Sequence, residues 1–246
     1  MMMSIMLSAR NKDCKVLNSP LSMKMVKTAN GVIIPSKDYL LDLYNSNSGM
    51  IGLVSNANFG HLPTGEDSQI MMAAGAWVDM DIQISDQEFH FKKHEDVFYR
   101  DIKLLDLLGK EHKMSITTPE GTENYKFYIP ESIIAQQLKP STINTNIIQR
   151  SGNVLHWNPD SQYPTKVVFE YQLYDKEPAF GELLYRDVVV VDDIGQLDLD
   201  KFLANKDAKG FRFSIYRVNA IEVNTDGQKV ALAFVMVDHH SYRIQD

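Results

Sequence analysis

The sequence predicts an all-β protein, and three observations support that prediction. Several runs are rich in Val, Ile, Phe and Tyr, the residues that are enriched in strands. Some of these runs alternate apolar with polar residues, which is typical of a half-buried strand. Strands and long helices do not alternate along the chain, which disfavours a doubly wound parallel sheet. We therefore expect antiparallel sheets.

The clearest strand predictions lie in the C-terminal half of the chain. They are KVVFEYQLY (166–174), RDVVVVDD (186–193), FRFSIYRVNAIEV (211–223) and KVALAFVMV (229–237). In the third run, Phe211, Phe213 and Ile215 fall on one face of the strand, whereas Arg212 and Ser214 fall on the other. This alternation predicts a half-buried antiparallel strand.

Turn and helix signals complete the pattern of elements. NTDGQ (224–228) separates two of these strand runs, and its Asp-Gly pair suits a tight hairpin turn. TTPEGTEN (117–124) predicts a second hairpin. One helix is expected over residues 36–49, with Ser36 as its N-cap, and a short helix or turn is expected around residues 201–204.

The chain divides into four parts by composition. Residues 1–14 are interpreted as a remnant export or lipoprotein signal, and residues 15–129 as an N-terminal β-rich domain. Residues 130–152 contain Pro130 and Pro140 and lack a clear period, which indicates a linker or crossover. Residues 153–246 carry about six strand runs at the spacing of a β-sandwich, so we expect an immunoglobulin-like or related sandwich there.

Charge and composition narrow the classes of function. The 246 residues include 25 Lys and Arg and 32 Asp and Glu, which gives a net charge of −7 without a basic stripe. Nucleic acid is therefore not an expected partner. The single cysteine excludes an intramolecular disulfide framework and a multi-cysteine zinc site. No apolar run reaches the roughly 18 residues of a membrane-spanning helix, so no integral membrane segment is predicted.

Two stretches contain residue types that bind metals. In VDHHSYR (237–243), Asp238 and His240 are two residues apart and would share one face of a strand, where a carboxylate and an imidazole could bind metal or act as a base. Such a cluster at the end of a strand is more often structural. His61 lies in the polar stretch NANFGHLPTGEDS (56–68), which is expected to be a surface loop that could carry a site.

A third stretch, NVLHWNPDSQYP (153–164), contains a candidate ligand-binding aromatic pair. Trp157 follows an apolar strand and is expected in the core. Alternatively, an exposed Trp157 with Tyr163 could form a platform that stacks on sugar rings. Cys14 has no histidine nearby and no Gly-x-Ser-x-Gly motif occurs, so we assign no catalytic residue and no cofactor.

Two resemblances point to the same group of proteins. Leu7, Ser8 and Ala9 are similar to the lipobox region of Bacteroidota-type lipoproteins, although Arg10 stands where the lipid-bearing cysteine would stand. The runs VLHWNPD (154–160), VVFEYQLYD (167–175), VVVVDD (188–193) and FRFSIYRVN (211–219) resemble β-sandwich modules of uncharacterised exported Bacteroidota proteins. This resemblance implies a sandwich fold in the periplasm or at the outer-membrane surface and supplies no catalytic residues. A lipid tether at position 10 would need the cysteine that Arg10 replaces.

The leading expectation is a non-catalytic extracytoplasmic protein that binds a protein or glycan partner or contributes to an assembly. The alternatives are a carbohydrate-binding module, or a metal-assisted hydrolase that uses His61, Asp238 and His240. A cytoplasmic interaction protein is a further alternative, since one cysteine fits either compartment. The sequence favours a non-enzymatic protein over an enzyme and gives no oligomeric state.

Overall fold

The computed structural model describes residues 26–27, 33–34, 50–56, 70–74, 79–92, 98–99, 107–136, 138, 146–163, 165–225 and 228–245. All regular structure within these residues is β-strand, which confirms the all-β prediction. Residues 200–203 form turns. The helix expected over residues 36–49 and the signal expected over residues 1–14 lie outside the described residues. No described segment is a helix with the length and hydropathy of a membrane span.

Sixteen strands are described. They are β1 (Val26–Lys27), β2 (Ile33–Ile34), β3 (Met50–Asn56), β4 (Ile70–Ala74), β5 (Met80–Ile84), β6 (Gln87–Phe91), β7 (Phe98–Tyr99), β8 (Lys110–Thr118), β9 (Gly121–Ile129), β10 (Ile147–Gln149), β11 (Val154–His156), β12 (Lys166–Tyr174), β13 (Leu183–Asp192), β14 (Gln196–Asp198), β15 (Gly210–Thr225) and β16 (Gln228–Gln245).

The smaller of the two main sheets has the strand order β1-β2-β9-β8-β5-β6. Strands β8 and β9 form the hairpin predicted from TTPEGTEN, with Thr118 paired to Gly121 across a two-residue turn. Strand β5 alternates strictly, with Met80, Ile82 and Ile84 buried between exposed polar residues. This period of two directs one face of the sheet toward the core.

The larger sheet has the order β13-β12-β15-β16-β3-β4-β7, and β10 also pairs with β16. Strands β15 and β16 form the hairpin predicted from NTDGQ, paired from Gly210 with Arg243 to Thr225 with Gln228. Strand β3 pairs in parallel with β16, so strands from residues 15–129 and from residues 153–246 share this sheet. The domain boundaries themselves, and the sandwich type, stay predictions.

The larger sheet has two faces: the core face, and a second face that we call the outer face, which is buried at Val168, Tyr216 and Val237 and exposed at Arg243. Phe213 and Ile215 point to the core face, as the alternation of FRFSIYRV predicts, and Phe169 in the neighbouring strand β12 points to the same face. The ring of Phe127 in β9 lies 4.9 Å from that of Phe234 in β16, so the two main sheets contact each other there. Burying a side chain of this size contributes about 1.5–3 kcal/mol to folding.

Part of the segment expected to be a linker packs on the core face. Ile133, Ala135 and Leu138 are buried. The backbone N–H of Ala135 donates to Asp238 Oδ2 at 2.8 Å, and that of Leu138 donates to the Tyr242 hydroxyl at 3.1 Å. Side chains of β16 thus satisfy backbone groups that would otherwise be buried without partners.

Candidate functional site

The residues predicted to bind metal lie on β16 and face the core. Asp238 and His240 share a face, as predicted, with His240 Nε2 3.4 Å from Asp238 Oδ2. The Asp238 side chain is fully buried and also accepts from the N–H of His239. The His240 ring lies 5.3 Å from that of Phe213. Asp238 therefore helps to attach the segment around Ala135 to the sheet.

The structure brings no further ligand to this pair among the residues that it describes. Within them, no group of three or more His, Cys, Asp and Glu side chains is arranged to hold a metal ion. His61, the third residue of the predicted set, lies outside the described residues. The neighbouring His239 points to the opposite face, where burial lowers its pKa more than the nearby Asp238 carboxylate raises it. A metal role stays a prediction.

Trp157 and Tyr163 occupy different environments. Trp157 is 3% exposed, and its Nε1 donates to Asp193 Oδ1 at 2.7 Å. Tyr163 is half-buried, with its ring 4.6 Å from that of Tyr128 and its hydroxyl donating to the Glu111 carboxylate, which raises the pKa of Tyr163 to about 12. A sugar platform needs an exposed ring face, and the Trp157 ring is packed in the core.

A buried ion pair lies beside Trp157. Arg217 in β15 and the Asp193 side chain are both fully buried, and Arg217 Nε donates to Asp193 Oδ2 at 2.7 Å. The other Arg217 nitrogens donate to Asp193 Oδ1 and to the carbonyls of Glu131, Ser132 and Asn158. All five guanidinium donors are used, which indicates that Arg217 is structural and does not bind a ligand.

Asp193 is saturated in the same way. Its carboxylate accepts from Thr165 Oγ1 at 2.6 Å and from Trp157 Nε1 as well as from Arg217. Burial alone would raise its pKa, but the hydrogen bonds from Arg217 and Thr165 outweigh burial and hold the pKa below its ordinary value. Asp193 is therefore ionised at neutral pH and engaged within the protein.

Exposed apolar side chains are concentrated at the start of β13, the terminal strand of the larger sheet. We call Phe180, Leu183, Leu184 and Tyr185 the β13 patch; they are 81%, 53%, 43% and 46% exposed. Four large apolar side chains lie within six residues, whereas singly exposed apolar residues are ordinary on protein surfaces. The β13 patch spans both faces of the sheet at this edge, because Leu183 is opposite Tyr174 whereas Tyr185 is opposite Leu173, with its ring 5.7 Å from that of Tyr171 on the core face. Clustered exposed apolar side chains mark an interaction site or an aggregation hazard.

Two features of β13 disfavour its pairing with another strand. The N–H of Val188 donates to Asp187 Oδ1 at 2.8 Å. The register against β12 shifts between Leu173 and Tyr174, which are paired with Tyr185 and Leu183 respectively. Bulges and charged groups on edge strands prevent the addition of further strands. These features favour contact with a partner through the side chains of the β13 patch.

The outer face beside this patch carries arginines. Residues directly opposite each other in an antiparallel pair point to the same face. Two neighbouring rows of paired residues cross strands β13, β12, β15 and β16 on this face. The first row consists of Leu183, Tyr174, Gly210 and Arg243, and the second row consists of Arg186, Gln172, Arg212 and Ser241. We call Arg186, Arg212 and Arg243 the arginine corner. Because Leu183 belongs to the first row, the β13 patch adjoins the arginine corner through Leu183.

The next row inward contains Glu170, which is almost fully buried. Its carboxylate accepts from Arg186 Nε at 2.7 Å, from the Tyr216 hydroxyl at 3.0 Å and from Gln172 Nε2 at 3.2 Å. Arg186 is thereby fixed across the surface of the sheet. Arg186 is paired with Glu170, so the accessible positive charges of the arginine corner are those of Arg212 and Arg243.

Comparison with models of known protein families gives no match, and comparison with curated proteins gives none. A functional conclusion therefore has to start from the side chains. Sequence reasoning did not single out the β13 patch. The available signal was GELLYRD (181–187), where three large apolar residues lie between charged ones instead of alternating with them.

Proposed function

We propose that this is a non-catalytic binding protein that holds a protein partner against the β13 patch and the adjoining arginine corner. The observation that carries the proposal is the cluster of four exposed apolar side chains at one end of the larger sheet. Aromatic residues and arginine are enriched in protein interfaces and supply most of their binding hot spots. The two surfaces together have this composition.

The engagement of the chemically versatile side chains supports a non-catalytic role. Asp238 and His240 face the core, and Asp193 and Arg217 use their polar atoms within the protein. A general base has to reach a substrate proton within about 3 Å, directly or through one water. A fully buried carboxylate whose oxygens already accept hydrogen bonds does not meet that requirement.

The proposed location is outside the cytoplasm, in the periplasm or at the outer-membrane surface. The support is the resemblance of residues 154–219 to modules of exported Bacteroidota proteins, together with the lipobox-like residues 7–9. The immunoglobulin-like type of sandwich is proposed on the same ground. Fractionation with lipid labelling of the native chain and of Arg10→Cys tests the tether. A cysteine variant that is neither lipidated nor membrane-associated would rule out a lipobox.

Photo-crosslinking tests the binding proposal. A photoreactive phenylalanine analogue is placed at Leu183, within the β13 patch, and in a second variant at Ile194, which is 67% exposed and lies in the bend after β13. Irradiation of the native extract should give a discrete protein adduct at position 183 and none at position 194. Equal adducts at both positions, or none at either, would contradict the proposal.

A further inference from the structure

We propose that the arginine corner binds the carboxylates of an acidic, extended segment of the partner, with Arg212 as the anchor. This inference rests on the proposed function, because it names the chemistry of the partner that the β13 patch holds. The arginine corner stands on a protein whose net charge is −7, so its local charge opposes that of the whole molecule. A positive surface on a negatively charged protein favours the binding of an acidic partner at the arginine corner.

Arg212 is held in position by two contacts. Its Nε donates to Ser241 Oγ at 3.2 Å, and its guanidinium lies 5.5 Å from the centre of the Tyr174 ring. Among the described residues, no atom accepts a hydrogen bond from its two terminal nitrogens. A guanidinium that is oriented in advance loses little entropy when its fork binds a carboxylate through two hydrogen bonds.

The spacing of the arginines matches an extended segment. Ser241 is the residue opposite Arg212, so Arg243, two residues further along β16, is a diagonal neighbour of Arg212. Diagonal neighbours are about 7–8 Å apart, and their Cβ atoms are somewhat closer. In an extended peptide, side chains two residues apart point to one side and are separated by about 6.4–6.8 Å. Acidic residues at alternate positions of the partner would therefore meet Arg212 and Arg243 together.

Nearby charges set the position of that segment. The loop 175–182 carries Asp175, Glu177 and Glu182 beside one lysine, Lys176. An acidic segment is repelled from this loop and attracted to the side of the sheet where β15 meets β16. Apolar residues of the partner can then reach Leu183 in the same row as Arg243. The partner segment that complements this surface therefore has acidic side chains at alternate positions at one end and apolar side chains at the other end.

The test measures peptide binding to the full chain through the Nε–Hε resonances of Arg212 and Arg243. The probes are a capped hexapeptide that alternates Glu and Ser, its isomer with the three Glu residues contiguous, and a polyuronate oligosaccharide of equal charge. The alternating peptide should bind most tightly and shift the Arg212 resonance. Arg212→Gln should raise its Kd about tenfold, the equivalent of one charge-assisted hydrogen bond.

Two variants separate specific binding from general electrostatics. Lys113→Gln removes one exposed positive charge from the smaller sheet and should change the Kd by less than about twofold, since its charge is remote and screened. Arg212→Lys keeps the charge without the fork and should give an intermediate Kd; it also serves if the Gln variant fails to fold.

Three results would overturn the inference. They are an unshifted Arg212 resonance, equal or tighter binding of the contiguous isomer or the polyuronate, and equal loss of binding in Lys113→Gln and Arg212→Gln. If one of them is found while the Leu183 adduct persists, only the acidic-segment chemistry fails. Loss of the Leu183 adduct would instead contradict the proposed function.

Discussion

Arg217 shows how a charged residue becomes part of a β core. It continues the core-facing series of Phe211, Phe213 and Ile215 along β15. The alternation alone could have indicated its direction, but a lone arginine in that series gives no hint of its partners. Those partners, the Glu131, Ser132 and Asn158 carbonyls and the Asp193 carboxylate, come from distant parts of the chain. Local pattern reasoning could not have found them.

Removing one member of this ion pair should cost much more than removing one member of an exposed pair. Asp193→Ala leaves the Arg217 charge buried without its counterion, so we expect a loss of about 3–5 kcal/mol in the free energy of unfolding. Asp192→Ala is the matched control, because Asp192 pairs with Lys166 at an exposed site and should cost less than about 1 kcal/mol. Urea denaturation of both variants measures the difference; similar losses would contradict the structural role of Arg217.

The low pKa of Asp193 predicts a loss of stability in acid. Its folded-state pKa lies below the unfolded value of about 3.9, so the stabilisation is fully present above pH 4 and is lost as pH falls through the folded pKa. Urea midpoints measured between neutral pH and pH 2 should fall more steeply for the native chain than for Asp193→Asn. Parallel curves would show that Asp193 does not contribute to the acid sensitivity.

At the scale of elements, strand existence was predictable and sheet order was not. Strand β12 has the bounds expected from KVVFEYQLY, and both predicted hairpins are confirmed. Strand β13 begins at Leu183, three residues before the predicted strand, and those three residues belong to the β13 patch. Their exposure depends on β13 being the terminal strand, which is a matter of long-range pairing. Periodicity within one segment carries no information about its neighbours.

The turn that leads into β13 depends on Gly210. A Cβ atom at this position would lie 2.0 Å from the Lys176 carbonyl oxygen and 2.8 Å from Pro178 Cδ. Gly210→Ala should therefore displace the loop 175–181 and destabilise the protein by about 1–3 kcal/mol. Ser214→Ala, on the same face of β15, is the control and should leave the melting temperature nearly unchanged. Equal melting temperatures for the two variants would contradict this close packing.

At the scale of the whole molecule, the larger sheet combines strands from both ends of the chain. Strands β3 and β16 pair from Met50 with Ala231 to Asn56 with Val237. These partners are far apart in the sequence, and no local signal specifies that they pair. The sheet topology also determines which of the predicted site residues are buried. Asp238 and His240 face the core together, Trp157 is buried, and four exposed apolar side chains cluster at the start of the sheet's terminal strand. The β13 patch is therefore a property of the assembled fold.

Co-purification from the native source tests the central claim, that the β13 patch holds a protein partner, most directly. The tagged chain is compared with the double variant Leu183→Asp and Tyr185→Asp, and with Ile194→Asp as an exposed apolar control outside the β13 patch. Quantitative mass spectrometry should find one partner in near-stoichiometric amount with the native chain and with Ile194→Asp, and its loss from the double variant. Retention of that partner by a folded double variant would contradict the claim.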